Sequence, residues 1–543
     1  MKFDIKLIKK NKKLFNHDTD GKKIILVEYN KFHGSHLCQA LLANYFKLNN
    51  RAKIVGYFNY CLITSPLRLS FLQKLRWKIS SLFLLGFKKI YNSFGVDNFI
   101  RPHITKKINL EAQKKTSQFF KKENVNNNDV VNFKINKIWI GDLIYDTYLK
   151  SRLIPTFDVK DQDFQIFFKE FLELFLYWQE YLQTNKVSQI IGVHACYSYG
   201  LPLRIGMNIG IPSYVINTRA VMKINKKIPT MYGDFKFFKK DFLRIRNKKQ
   251  ALTISKKNLD LRFSGISGVD VGLYNREKSS FSRKKIKKDL IQKNSKIKIL
   301  ICTHDFLDSI HVNGKIFFPD FYLWIDFLGK LSNKKVKDYD FYIKSHPNLG
   351  NKYEKYQKYT NIFVNNLLKK YPKIKKIPND TSHHQIIAAG INYVLTVCGS
   401  VGIEYACLGI PVINASRNNP HINYNFNINP KNQKDYIKIL SNLKKRKFKI
   451  NQKEVLECYF MKHFFWDENW LFDNYKAFMT SIGGYHNIHT FRLYKYWHEN
   501  IDEKFIKKIN YRFNNFVNSY ENRLSNFSSE KNRNFFQIKQ KKY

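Results

Sequence analysis

Three polar runs in the second half of the chain each follow a short apolar stretch, and each carries side chains suited to phosphate. Residues 296–301 lead into Cys302-Thr303-His304-Asp305, residues 340–343 into Lys344-Ser345-His346-Pro347, and residues 393–397 into Cys398-Gly399-Ser400-Val401-Gly402-Ile403-Glu404. An imidazole beside a lysine can hydrogen-bond or protonate a departing phosphate near neutral pH, and Pro347 stiffens the turn that would hold His346. Gly399, Ser400, Val401 and Gly402 at a helix start let main-chain N–H groups approach an anion on the positive side of the helix dipole. Glu404, one turn further, is placed to accept hydrogen bonds from ribose hydroxyls. Ser382 and His383 precede the helix that leads to the Gly-Ser strand and join this nucleotide-binding set, as does His304.

The first half offers groups that could handle a proton. Asp142 and His194 are the foremost, with His33 and His36 after the first apolar run. A carboxylate or imidazole there could deprotonate an incoming hydroxyl, and a carboxylate could act as nucleophile if configuration at the reacting carbon is retained. Each of the four is also a residue type that folds use structurally. Metal chemistry has little behind it. Asp338-Tyr339-Asp340 follows the lysine-rich residues 334–337 and reads as a solvated loop, while His383-His384 and His486 with His489 lack a partner at ligand spacing. Neither a metal nor a bound cofactor is expected.

Alternation of apolar runs with helical periodicity must place these groups. Residues 22–30, 52–57, 187–193 and 211–216 read as strands, with helices at 37–46, 161–182 and 201–207 between them. A second series reads as strands at 296–301, 340–344, 362–364, 393–397 and 410–413. Strands alternating with helices make parallel, doubly wound α/β domains, whose ligands lie beyond the carboxyl ends of the strands. The division expected is a basic segment at 1–20, an acceptor domain with helical insertions at 21–285, a donor domain at 296–450, and a helical extension with a basic tail at 451–543.

Composition sets the outer bounds. A chain of 543 residues, 44% hydrophobic and 16% aromatic, is long enough for two cores and too apolar for general disorder. Seven scattered cysteines without a C-x-x-C suit a reducing, cytoplasmic setting. The first residues carry charges where a secretion signal needs an apolar core. Residues 187–203 and 385–403 are interrupted by polar groups, so no membrane span is expected. The formal charge of +53 draws phosphates of some kind, although abundant Lys, Asn, Ile, Phe and Tyr point to an AT-rich coding bias behind part of it. Residues 66–94 interleave Leu, Phe and Trp with Arg and Lys, a pattern suited to peripheral contact with anionic lipid on the inner membrane face.

The stretches Tyr342-Ile-Lys-Ser-His-Pro347 and Val397-Cys-Gly-Ser-Val-Gly-Ile-Glu-Tyr-Ala-Cys-Leu-Gly-Ile-Pro-Val412 resemble the donor domain of bacterial capsule and surface-carbohydrate biosynthesis proteins, the group that includes Kdo transferases. They are also similar to the GT-B sialyltransferases that carry a K-x-H-P motif. Ile140-Gly-Asp-Leu-Ile-Tyr-Asp146 and Tyr199-Gly-Leu201 resemble the first group more loosely, and the acidic D/E-D-G base motif of those sialyltransferases has no counterpart here. The resemblance implies a GT-B enzyme, with two Rossmann-like domains facing a cleft and a helical C-terminal extension. It implies that His346 and Ser400 contact the nucleotide phosphate and Glu404 the ribose. The partners implied are a nucleotide-sugar donor, such as CMP-linked Kdo or sialic acid, and a growing glycan or lipid-linked glycan acceptor. A CDP-glycerol-type phosphotransferase or a sugar-nucleotide epimerase would use the same scaffold. A nucleic-acid-binding protein is suggested by charge alone and has no recognisable module behind it, so no nucleic acid is expected.

Overall fold

A computed structural model describes residues 2–15, 21–58, 87–265, 281, 290–346, 354–379, 381–445, 448–466, 469–472, 474–484, 488 and 490–524. They form two compact units, the first from described residues within Met1–Arg152, Phe157–Met231 and Asp467–Ser529, the second from those within Leu153–Thr156 and Tyr232–Trp466.

In the first unit, β1 (Lys23–Tyr29), β2 (Ala52–Phe58), β3 (Val96–Ile100), β4 (Val187–Gly192), β5 (Ser213–Asn217) and β6 (Ala220–Ile224) form a six-stranded sheet in the order β3-β2-β1-β4-β5-β6. All neighbours are parallel except β5 and β6, which pair antiparallel. Ile25, Leu26 and Val27 are fully buried, as a parallel sheet covered on both faces requires. The crossover from β1 to β2 is α1 (His33–Asn50), which ends at Arg51 in a left-handed conformation, φ 45°. Next come α2 (Gly141–Arg152), α3 (Gln162–Thr184) and α4 (Leu201–Asn208).

In the second unit, β7 (Ile297–Cys302), β8 (Tyr339–Lys344), β9 (Ile374–Lys376), β10 (Tyr393–Thr396) and β11 (Val412–Asn414) form an all-parallel sheet in the order β9-β8-β7-β10-β11. Helices α5 (Lys248–Phe263), α6 (Phe321–Lys334), α7 (Glu354–Lys370), α8 (His383–Ala388), α9 (Val401–Cys407) and α10 (Gln452–His463) accompany it. Both sheets thus have the doubly wound Rossmann order, and two such units are what the GT-B class is made of. In each, strand order reverses at one place, β1 against β4 and β7 against β10, where such sheets bind ligands.

The sequence and the structure part company at three points. Residues 362–364 lie inside α7 and not in a strand, because Phe363, Val364 and Leu367 are buried together at helical spacing; the strand is Ile374–Lys376. Helix α5, placed by sequence with the first domain, belongs to the second unit: Arg262 near its end meets Glu404, and His384 bonds the Phe263 carbonyl at 2.7 Å. The chain after residue 468 returns to the first unit, where Trp470 donates to the Asn217 carbonyl at 3.1 Å and Lys223 N–H to the Asn522 carbonyl at 2.7 Å. Among the described residues no helix is long and apolar enough to cross a membrane. Most of the amphipathic stretch 66–94 lies outside the described residues.

Candidate functional site

The carboxyl ends of β7, β8 and β10 gather His304, His346 and the 396–400 turn. His304 Nε2 lies 3.1 Å from Thr396 Oγ1 and 3.2 Å from Val397 N. A main-chain N–H can only donate, so Nε2 is the acceptor and the ring proton sits on Nδ1. Thr396 Oγ1 in turn accepts from Gly399 N–H at 3.2 Å. The His304 ring stacks on Phe321, centroids 4.6 Å apart. Burial, helped by nearby His346, pushes its pKa down to about 3, so it stays neutral at physiological pH. The ends of β7 and β8 are tied by Thr303: its N–H donates to Lys344 O at 3.1 Å, and its hydroxyl accepts from His346 N–H at 2.8 Å. The His346 ring meets solvent. Surrounding protein still crowds it enough to favour the neutral form, against the pull of Asp305 and Asp308. The Ser345 hydroxyl is buried without a hydrogen-bond partner among the described residues.

Behind this edge lies a buried charged cluster. Glu404 Oε1 accepts from the Arg262 guanidinium, and Oε2 is 4.0 Å from His383 Nε2. Burial alone would raise the Glu404 pKa, but Arg262, His383 and the Ser400 hydroxyl together hold it below the usual carboxylate range. His383 Nδ1 is 2.6 Å from the Tyr405 hydroxyl. Its pKa is pushed down to about 4, by burial first and against the opposing Glu404 charge.

Several expected ligands prove to be built into the fold. The Lys344 ammonium donates to the carbonyls of Asn379 and Thr381 at 3.0 and 2.8 Å, fixing the loop before α8. The Ser382 hydroxyl caps α8 by accepting from Gln385 N–H. Val401 packs its side chain into the unit core. The two glycines of the turn do more than open the backbone to an anion, because each seats an imidazole. A Cβ on Gly399 would stand 2.9 Å from Thr396 Oγ1 and 3.3 Å from His304 Cε1, and one on Gly402 would stand 2.2 Å from His421 Cε1. Pro347 lies outside the described residues.

In the first unit, Asp142 is withdrawn from acid–base duty. Its two carboxylate oxygens accept from Arg204 at 3.1 and 2.8 Å in a buried pair, and Arg204 also donates to the Trp139 carbonyl. His36 is fully buried between the Tyr494 hydroxyl (2.6 Å) and the Asn30 carbonyl (2.8 Å), a structural clamp. His33 packs on Tyr494, ring centroids 4.7 Å apart. His194 is half-buried on the turn after β4, its ring 6.2 Å from that of Phe32. Beneath that turn lies Glu28, a residue sequence reasoning passed over. Its carboxyl accepts from Val193 N–H at 2.9 Å, and burial pushes its pKa up to about 8.

Asp338 bonds Lys444 at 2.7 Å, and Asp340 lies 3.7 Å from Lys296, so the D-x-D triplet is taken up by lysines. Among the described residues no three His, Cys, Asp or Glu side chains gather as metal ligands, and no disulfide joins the described cysteines. His486 and His489 lie outside the described residues. Arg262, Thr303, Thr396, His421 and Glu28 were all missed. Only Glu28 announced itself, as a lone acid within the apolar run of β1.

No protein-family model matches the chain, and no curated protein matches it by sequence. Solved structures similar to it include the β-Kdo 2,4-transferase KpsC of Thermosulfurimonas dismutans, at 12% identity over 50% of this chain and 79% of that one, TM-score 0.31. UDP-GlcNAc 2-epimerase of Neisseria meningitidis, bound to UDP-GlcNAc, is similar at 12% identity over 81% and 97%, TM-score 0.22. A glycosyltransferase of Rickettsia africae is similar at 11% identity over 89% and 100%, TM-score 0.22. Likeness at this level fixes neither activity nor substrate.

Proposed function

We propose that the chain is a glycosyltransferase that holds a nucleotide sugar in its second unit and passes the sugar to a growing surface or capsular glycan. The observation that carries this is the meeting of His304, His346 and the 396–400 turn at the carboxyl edge of a parallel sheet. His304, kept neutral with its proton on Nδ1, is a hydrogen-bond donor that needs no counter-ion. His346 reaches solvent beside it, ready to donate to a phosphate oxygen and stabilise the charge that builds there as the sugar leaves. Glu404, held ionised by Arg262, is the acceptor suited to ribose hydroxyls. The K-x-H-P resemblance favours a CMP-linked acidic sugar such as Kdo or sialic acid. Protein donors meet the phosphate in this scheme, so no metal is assigned.

The test is a thermal-shift panel of CMP, CDP, UDP and GDP on the intact chain and on His346→Ala, with and without EDTA. One nucleotide should raise the melting temperature by several degrees, unaffected by EDTA, and His346→Ala should shrink that shift markedly at the same nucleotide concentration. No shift from any of the four contradicts the reading. An epimerase on the same site would convert its donor with no acceptor present, whereas a CDP-glycerol-type phosphotransferase would release CMP from CDP-glycerol, and not from a CMP-sugar, only when an acceptor is supplied; mass spectrometry of incubations with and without acceptor separates them.

A further inference from the structure

Two basic sequences have no part in the nucleotide site, residues 1–20 and 66–94, and the first unit brings them together. The helix Lys2–Leu14 carries six lysines against one acid. Leu7, Asn11 and Leu14 are buried along one side of it. Asn11 fixes its roll: the amide nitrogen donates to Ser93 Oγ at 3.0 Å, and the amide oxygen accepts from Trp497 Nε1 at 2.9 Å. Ser93 ends the helix Lys88–Ser93, which closes the stretch 66–94, and Trp497 belongs to the helix Phe491–Asn500. Lys10 turns inward and donates to the Trp497 and His498 carbonyls in the last turn of that helix, where a cation suits the dipole. Asp502 faces the same lysine.

The opposite side of Lys2–Leu14 is left to solvent. At about 3.6 residues per turn, Ile5, Lys6, Lys9, Lys12 and Lys13 share an arc of about 120°, and all five are exposed. Lys9 stands three or four positions from each of the other three lysines, a spacing at which like charges repel. Among the described side chains none of these four lysines has an ion-pair partner. The arrangement therefore costs the fold stability, and a dense anionic surface laid against it would return that cost.

We propose that this face docks the chain on an anionic lipid surface, with the lysines over lipid phosphates and Ile5 entering the interface between them. Lysine stems lie along apolar material while their charges stay in the headgroup layer. Nucleic acid would meet the charges but has no place for Ile5, which is 52% exposed, whereas a bilayer interface takes it. By sequence, residues 66–94 bring further Leu, Phe and Trp among cations, and the hydrogen bond from Asn11 to Ser93 sets their end beside the same helix. The inference stands apart from the transferase reading and joins it in one respect: a lipid-linked acceptor lies in the same surface.

The experiment is co-sedimentation of the full chain, without nucleotide, with vesicles of phosphatidylcholine alone and with phosphatidylglycerol added. Binding should require phosphatidylglycerol and weaken about tenfold or more as salt rises from about 0.1 to 0.5 M. Lys6→Gln, Lys9→Gln, Lys12→Gln and Lys13→Gln together should weaken it about 100-fold or more, at about fivefold per lysine, with little change in melting temperature. Glutamine at Lys369, Lys373, Lys434 and Lys438, exposed lysines of the second unit, removes the same charge and should leave binding within about threefold of the parent. Arginine at the first four positions should preserve binding. Ile5→Asn alone should weaken it about fivefold, which keeps the test open if the glutamine variant misfolds. No binding to either vesicle, binding to phosphatidylcholine alone, equal losses in the two fourfold variants, or parent-like binding by Ile5→Asn overturns the proposal. A loss confined to binding of a short DNA duplex would assign the face to nucleic acid and overturn it as well.

Discussion

The two sheet edges share a strand order and a reversal point, yet their electrostatics run in opposite directions. At β1 and β4 an acid is kept neutral by burial, with Glu28 at about 8. At the β7–β10 edge bases are kept neutral, His304 at about 3 and, beside a Glu404 held ionised by Arg262, His383 at about 4. The same topology thus decides where a site forms and leaves its chemistry to the few side chains at the strand ends. The contrast extends to stability. A raised carboxyl keeps its proton in the fold and loses it on unfolding above about pH 4.5, so the first edge weakens as pH rises. Depressed imidazoles do the reverse, and the second edge weakens as pH falls below about 6.5.

The largest expected effect follows from that contrast. Moving a fully buried carboxyl from 4.5 to about 8 corresponds to roughly 5 kcal/mol of stability lost across that pH interval, at about 1.4 kcal/mol per pH unit. Urea denaturation at pH 5 and pH 9 should show the loss in the parent and little of it in Glu28→Gln; equal slopes would erase the contrast between the edges.

Each unit has a buried arginine–carboxylate pair that ties distant parts of the chain, Arg204 with Asp142 and Arg262 with Glu404. Replacing either arginine by alanine should destabilise by about 3–5 kcal/mol, because a buried carboxylate is left without its partner. The apolar double replacement Asp142→Leu with Arg204→Met should recover stability and activity. The same treatment of Glu404 with Arg262 should recover stability only. If both doubles are equally active, Glu404 is as structural as Asp142.

A smaller effect is expected from Gly402→Ala, which drives a Cβ to within 2.2 Å of His421. Overpacking of this kind costs about 1–3 kcal/mol, and adding His421→Ala should return most of it. The smallest is His346→Ala. An exposed ring should change stability by less than about 0.5 kcal/mol while weakening nucleotide binding about tenfold, or 1.4 kcal/mol, as calorimetric titration would record.

The sequence was most legible where burial is two-sided. Runs such as Ile-Ile-Leu-Val in β1 and Tyr-Val-Leu-Thr in β10 can only be strands of a covered parallel sheet, and the groups that follow them must lie at its carboxyl edge. The short apolar run at 362–364 was ambiguous by nature, because three residues do not define a period; its helical partners Leu367 and Tyr371 settle it. Partners distant in sequence left no trace. Arg262 stands 142 positions from Glu404, and nothing in a Gly-Ser-Val-Gly run announces that His421 fills the space beside its second glycine. Asp142 looked like a base because its charge was visible and its mate, Arg204 on another helix, was not.

The most direct test is a crystal of the intact chain soaked with the nucleotide that raises its melting temperature. The phosphate should lie within hydrogen-bond distance of His346 and the 396–400 turn, with ribose hydroxyls at Glu404. A phosphate bound instead at the β1–β4 edge beside His194, with the second unit's edge unchanged, would contradict the account.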